Sequence, residues 1–131
     1  MLHCTKVLTD AGYDAVFHEP DGADPLAGVI DISGAFGLVQ VISFAERFPA
    51  ALNDALDSSR LSLYPGSPLR LMPIPQLVAL KLYAGGHKAK TDIIEMLRRN
   101  PEIEREEITR VIKQYRLRGL AQIWRELDEE T

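Results

Sequence analysis

Two periods of apolar residues divide this chain. Up to residue 44 the apolar positions alternate or run together in β-branched blocks, as in strands; beyond residue 73 they recur every three or four positions, as in helices. Residues 2–11 carry a helical pattern that stops at Gly12, a residue type favoured just past a helix end. Residues 13–18 alternate, with Tyr13, Ala15 and Phe17 on one face, and predict a strand. Residues 19–25, with two Asp and two Pro, predict a loop. Residues 26–32 and 38–44 are β-branched runs separated by Ser33-Gly34-Ala35-Phe36-Gly37, which predicts a hairpin. Both runs are apolar on both faces, the pattern of a sheet covered on both sides. Asp31 and Gln40 are the polar exceptions.

Residues 45–56 predict a helix with Phe48, Leu52 and Leu56 on one stripe. Residues 61–63 and 69–72 predict short strands around Pro65-Gly66-Ser67-Pro68. Pro73-Ile74-Pro75 then opens a helix, proline being tolerated in a first turn. From residue 77 to 84 that helix is apolar on every side except at Lys81, so it should be buried. Residues 88–99, ended by Asn100-Pro101, predict the next helix. Residues 104–115 follow, with Ile108, Val111, Ile112 and Tyr115 inward and Glu106 spaced to pair with Arg110. Gly119 precedes a last helix carrying Leu120, Ile123, Trp124 and Leu127, and the acidic residues 128–130 should fray. Strands first and helices afterwards predict one α+β domain over residues 1–131: a small mixed sheet in a strand-rich half (1–72) and a helical array in the other (73–131).

Composition narrows the function classes. The chain has 131 residues, 46% hydrophobic and 26% charged, with a formal net charge of −4. An acidic balance argues against binding DNA through overall charge. Cys4 is the only cysteine, so no internal disulfide can form; it reads as a small packed residue in a reducing cytoplasm. No signal peptide and no apolar run of membrane-spanning length is present, which predicts a soluble, cytoplasmic chain. Between residues 81 and 99 five basic side chains stand against two acidic ones, a local excess that suits an anion or an ordinary helix surface.

Four positions carry candidate chemistry. Lys81 is an ammonium on an otherwise apolar helix, so it must reach water, a partner or an anion. Asp92 lies where it could pair with Lys81 across a helical hairpin, or complement the dipole of its own helix. Gly85-Gly86-His87-Lys88 lacks a phosphate-loop pattern and fits a helix cap, yet the following helix start, beside Lys88 and Lys90, could attract an anion. Asp31 could reach a metal, but a lone carboxylate is not a Mg²⁺ site. His3, His18 and His87 show no ligand spacing and no Ser-His-Asp grouping.

Leu69-Arg-Leu-Met-Pro-Ile-Pro-Gln-Leu-Val-Ala-Leu-Lys81-Leu-Tyr-Ala and the following Lys88 and Asp92-Ile93 resemble the closing segment of nucleotidyltransferase-fold proteins, especially the AbiEii-like abortive-infection toxin group. Pro75-Gln76-Leu77-Val78 stands for the opening, Leu80-Lys81-Leu82-Tyr83-Ala84 for the buried helix, and Lys88 with Asp92-Ile93 for the last motif. The hairpin sequence is similar to that family's middle strands. The resemblance implies a nucleotidyltransferase-like fold, with Lys81 and Lys88 as phosphate contacts, Asp92 as an orienting or catalytic-support carboxylate, and Mg²⁺ with a nucleoside triphosphate as ligands.

The chain departs from that family in its metal centre. No Gly-Ser turn followed by Asp-x-Asp precedes the middle strands, because the chain begins about where that motif would end. Gln40 stands where a third metal-binding Asp is expected, Asp31 could replace it only from the same sheet face, and Ala89 replaces the first Asp of the last motif. The resemblance therefore implies a shortened or degenerate relative that is inactive alone and binds a nucleotide or a partner, in a toxin–antitoxin or phage-defence setting. The alternatives are an active Mg²⁺-dependent enzyme completed by an upstream segment or a partner chain, and a purely structural interaction module. A missing first strand would leave a sheet edge open to a homodimer or a protein partner.

Overall fold

A computed structural model describes residues 1–21, 26–45 and 48–129. Among them the elements run α1 (Leu2–Asp10), β1 (Asp14–His18), β2 (Gly28–Gly34), β3 (Gly37–Ser43), α2 (Pro49–Ser58), α3 (Ile74–Ala84), α4 (Gly86–Arg99), α5 (Arg105–Gln114) and α6 (Leu120–Glu129). The architecture is α+β. The chain divides into two compact units, Met1–Pro49 and Ala50–Thr131.

In the first unit, α1 stops in a Schellman arrangement. Gly12 takes φ 90°, the Gly12 N–H donates to the Thr9 carbonyl, and the Tyr13 N–H donates to that of Leu8. Only glycine adopts that backbone without a Cβ penalty. Cys4 is exposed on α1, not packed as its residue type suggests, because α1 buries none of its side chains. The strands form one sheet, ordered β1-β2-β3, and both pairings are antiparallel, not mixed. Short connections between successive strands permit only that arrangement; a parallel neighbour would need a long crossover. The loop expected at residues 19–25 includes Gly22, Ala23, Asp24 and Pro25, which lie outside the described residues.

Cross-strand register assigns the two faces. Ile30 and Ile32 are buried, and their partners Phe17, Ala15, Val41 and Val39 share that face. On the other face Asp31 stands between Val16 and Gln40, flanked by Val29, His18 and Ile42. Among the described residues β3 is not buried on both faces as its sequence suggests. Leu38, Val39, Val41 and Ile42 are 59%, 48%, 36% and 46% exposed. An apolar run shows that a strand can be buried on both faces; whether another element reaches it is a tertiary matter.

α2, all but its first residue in the second unit, begins at Pro49, later than the apolar stripe suggests. Ala45 takes φ 48°, outside helical geometry, and Glu46 and Arg47 lie outside the described residues. The two short strands expected near residues 62 and 70 reduce to one antiparallel bridge, Ser62 to Arg70. Ser59 ties this segment down by donating its hydroxyl to the Leu71 carbonyl at 2.7 Å. The core comes from α3 (Val78, Ala79), α4 (Ile93, Leu97), α5 (Ile108, Val111, Ile112) and α6 (Leu120, Ile123), as the helical periods predict. At the C-terminus Glu130 is outside the described residues, but Asp128 and Glu129 do not fray: α6 runs through both. Asp128 accepts two hydrogen bonds from Arg105, whose guanidinium also lies 4.9 Å from the Trp124 ring centre. This clamp holds the Asp128 carboxyl below its ordinary pKa and raises that of Arg105.

Candidate functional site

The turn between α3 and α4 is a single residue, Gly85, at φ 74° and ψ −172°. Its N–H donates to the Lys81 carbonyl at 2.9 Å and caps α3. So abrupt a reversal lays the two helices side by side and brings Lys81 Nζ to 2.7 Å from Asp92 Oδ2. The helix after the glycines starts at Gly86, two residues earlier than its sequence suggests. Asp92 thus lies in the second turn, past the reach of the terminal dipole, and the cross-helix pair accounts for its position.

Lys81 and Asp92 are half-buried, at 31% and 36% side-chain exposure, and open onto a shallow notch of about 360 Å³ shared with Glu95, Met96, Arg99 and Asn100. Its charges already answer one another: Lys81 with Asp92, and Arg99 with Glu95. Lys88 is exposed and does not line the notch. Lys90 turns to Glu126 of α6. The structure therefore joins two of the three residues picked out from sequence and leaves Lys88 apart. A double-mutant cycle of Lys81→Met and Asp92→Asn should give a coupling of about 0.5–1 kcal/mol that shrinks with added salt, since a partly solvated pair is screened. Urea midpoints at two ionic strengths measure it.

Asp31 is the centre of a second cluster. Gln40, directly opposite, donates from Nε2 to Oδ1 at 2.8 Å, and His18 Nε2 lies 3.0 Å from Oδ2. Asp31 and Gln40 do share a face, which meets the geometric condition for Asp31 to act in place of a third carboxylate. The donor set still does not suit Mg²⁺. A hard cation needs several oxygens, and here the amide N–H₂ of Gln40 occupies one carboxylate oxygen while an imidazole occupies the other. Among the described residues no group of three His, Cys, Asp or Glu side chains could hold a metal ion.

A third cluster had no sequence signal. Asp54 of α2 accepts hydrogen bonds from the Tyr115 hydroxyl and, at 3.3 Å, from Gln114 Nε2, partners about sixty residues away in the chain. They line a cleft of about 350 Å³ with Asp57, Gln76 and Glu107, where the buried Gln76 Oε1 finds no hydrogen-bond partner among the described residues. Burial first, then the bond to Asp54, pushes the Tyr115 hydroxyl up to about 12 from 10.0. Because the folded value is the higher, the neutral phenol stabilises the fold fully below pH 10, and that contribution is lost as pH rises from 10 through 12. Urea midpoints at pH 9 and 11 should fall further apart in the wild type than in Tyr115→Phe.

The edge of β3 is a further candidate surface. Among the described residues β3 pairs with β2 on one side only, and residues 37–43 contain no charge and no proline. Soluble proteins ordinarily guard such an edge with Lys, Pro or a covering segment. No described helix is long and apolar enough to cross a membrane. The chain matches no protein-family model, no curated protein and no solved structure.

Proposed function

We propose that this chain is a binding domain rather than an enzyme, and that it engages a protein partner by adding a strand to the free edge of β3. The observation that carries this reading is the uncharged, exposed edge itself. Its outward N–H and C=O groups give affinity to an incoming strand, and the exposed Leu38 and Ile42 offer apolar contacts beside them. This is the partner-binding form of a nucleotidyltransferase-like remnant, and the unsuitable donor set around Asp31 supports the loss of metal-dependent transfer.

A photo-crosslinking residue (benzoylphenylalanine) in place of Ile42 tests it in the cells that make the protein. The reading expects one discrete protein adduct, absent when the residue is placed at exposed Arg116 and lost when Gln40→Pro is added. Equal labelling from positions 42 and 116 would overturn it.

The Lys81–Asp92 pair supports a second reading, a nucleotide phosphate that displaces Asp92 from Lys81. Titration with ATP, GTP and CTP plus Mg²⁺ separates the two. The phosphate site requires binding that weakens in Lys81→Ala. The binding-domain reading expects no saturable signal, because Lys81 is already neutralised and Lys88 stands apart.

A further inference from the structure

We propose that the occupant of the β3 edge is the β3 edge of a second copy of this chain, paired antiparallel about a two-fold axis at Gln40. The inference rests on the strand-addition reading above and names its partner.

The sequence around Gln40 reads almost the same in both directions. Residues 36–44 run Phe-Gly-Leu-Val-Gln-Val-Ile-Ser-Phe. Antiparallel self-pairing centred on Gln40 sets Val39 against Val41, Leu38 against Ile42, and Gly37 against Ser43, so like meets like at every step. A two-fold interface demands this kind of self-complementarity. No like charges oppose one another, because the strand has no charges.

The backbone has the matching phase. The two-residue turn Ala35-Phe36 links Gly34 to Gly37, and the closing bond of a turn runs between those residues. Hydrogen-bonded pairs alternate along an antiparallel ladder. The inward set is therefore Gly37, Val39, Val41 and Ser43, consistent with the Ala27 N–H that donates to the Ser43 carbonyl at 2.7 Å. Leu38, Gln40 and Ile42 direct their N–H and C=O outward. A two-fold axis at Gln40 then falls on a pair whose backbones can exchange two hydrogen bonds, flanked on each side by a Leu38–Ile42 pair that does the same. The product is one six-stranded antiparallel sheet.

Side chains extend the match. The axis is perpendicular to the sheet, so both copies present the same face to the same side. The Gln40 amide gives one N–H to Asp31. Its other N–H and its Oε1 can exchange with the Gln40 amide of the second copy. A polar row, His18–Asp31–Gln40 and its symmetry mate, would cross an otherwise apolar face.

Sedimentation equilibrium on the full chain tests this, with three variants. The wild type should approach twice 14.6 kDa as concentration rises through the micromolar range. Gln40→Ala keeps the backbone N–H and should remain a dimer. Gln40→Pro removes an outward N–H that β2 does not use, so the hairpin persists while the mass falls to the monomer value. In a Cys4→Ser background, Gln40→Cys should form a disulfide dimer on mild oxidation, since Cα atoms of such a pair lie about 5.5 Å apart; Val16→Cys, on β1, should not. The crosslink decides the matter even if Gln40→Pro unfolds. A wild type that stays monomeric to millimolar concentration would overturn the self-pairing, and a position-42 adduct with a different protein would then leave the strand-addition reading standing. A dimer indifferent to Gln40→Pro, with no disulfide from Gln40→Cys, would overturn it by placing the interface elsewhere.

Discussion

Replacing Ile108 with alanine should cost the helical unit about 3–4 kcal/mol, the range for a large-to-small change at a site that cannot collapse. Ile108 is 1% exposed and lies in α5 within the cluster formed by α3, α4 and α6. Truncation removes buried apolar area and leaves a void walled by side chains from other helices, which cannot all move inward together. Trp124 packs against that cluster, so its fluorescence reports unfolding of this unit in urea. Whole-domain stabilities are only about 5–15 kcal/mol, so the shift in midpoint should be large. Ile94→Ala, at a partly buried position on α4, should cost clearly less. A loss under about 1 kcal/mol for Ile108→Ala would contradict the packing of α5.

The second large effect lies in the sheet. Gly28→Ala should destabilise it by about 2–3 kcal/mol, combining backbone strain with overpacking. Gly28 opens β2 at φ 145°, a conformation that L side chains rarely adopt. An added Cβ would also lie 2.7 Å from Phe17 Cε2, so the ring must shift. Phe17 shares the face of Ile30, its direct partner, and displacing the ring disturbs that packing too. Amide signals of β2 followed through urea measure the loss, since Trp124 reports only the other unit. Gly37→Ala has open space around the new Cβ and should show backbone strain alone.

Local patterns were legible in the sequence where local geometry decides them. The Gly12 stop, the hairpin around Ala35-Phe36 and the four C-terminal helices follow from spacing and glycine placement. The Lys81–Asp92 pair was only one of the alternatives the sequence offered, beside dipole complementation by Asp92 and a Lys81 that reaches water; the single-residue turn at Gly85 decides for the pair. Features set by distant contacts were not legible. Asp54 and Tyr115 meet across α2 and the end of α5, and nothing near either residue announces the other. The apolar blocks of β2 and β3 look alike, yet Ile30 is buried while Val41, its cross-strand partner on the same face, is 36% exposed, because β2 lies between β1 and β3 and β3 lies at the edge. The same ambiguity hid the exposure of Cys4, whose residue type suggests packing that α1 does not provide.

That difference leaves β3 as an uncharged strand at the sheet edge. A strand apolar on both faces and paired on one edge is an unfinished sheet. The Lys81 notch, by contrast, already pairs its charges, and the Asp31 carboxylate is engaged by an amide and an imidazole.

Residue-resolved amide hydrogen exchange along β3 tests the central claim most directly. At concentrations where the chain associates, the outward amides of Leu38, Gln40 and Ile42 should be protected together with the inward Val39 and Val41. On dilution, or in Gln40→Pro, Leu38 and Ile42 should exchange quickly while Val39 and Val41 stay protected by β2. Equal exchange at Leu38 and Ile42 in the concentrated wild type and in Gln40→Pro would contradict the account, because the edge would then have engaged nothing.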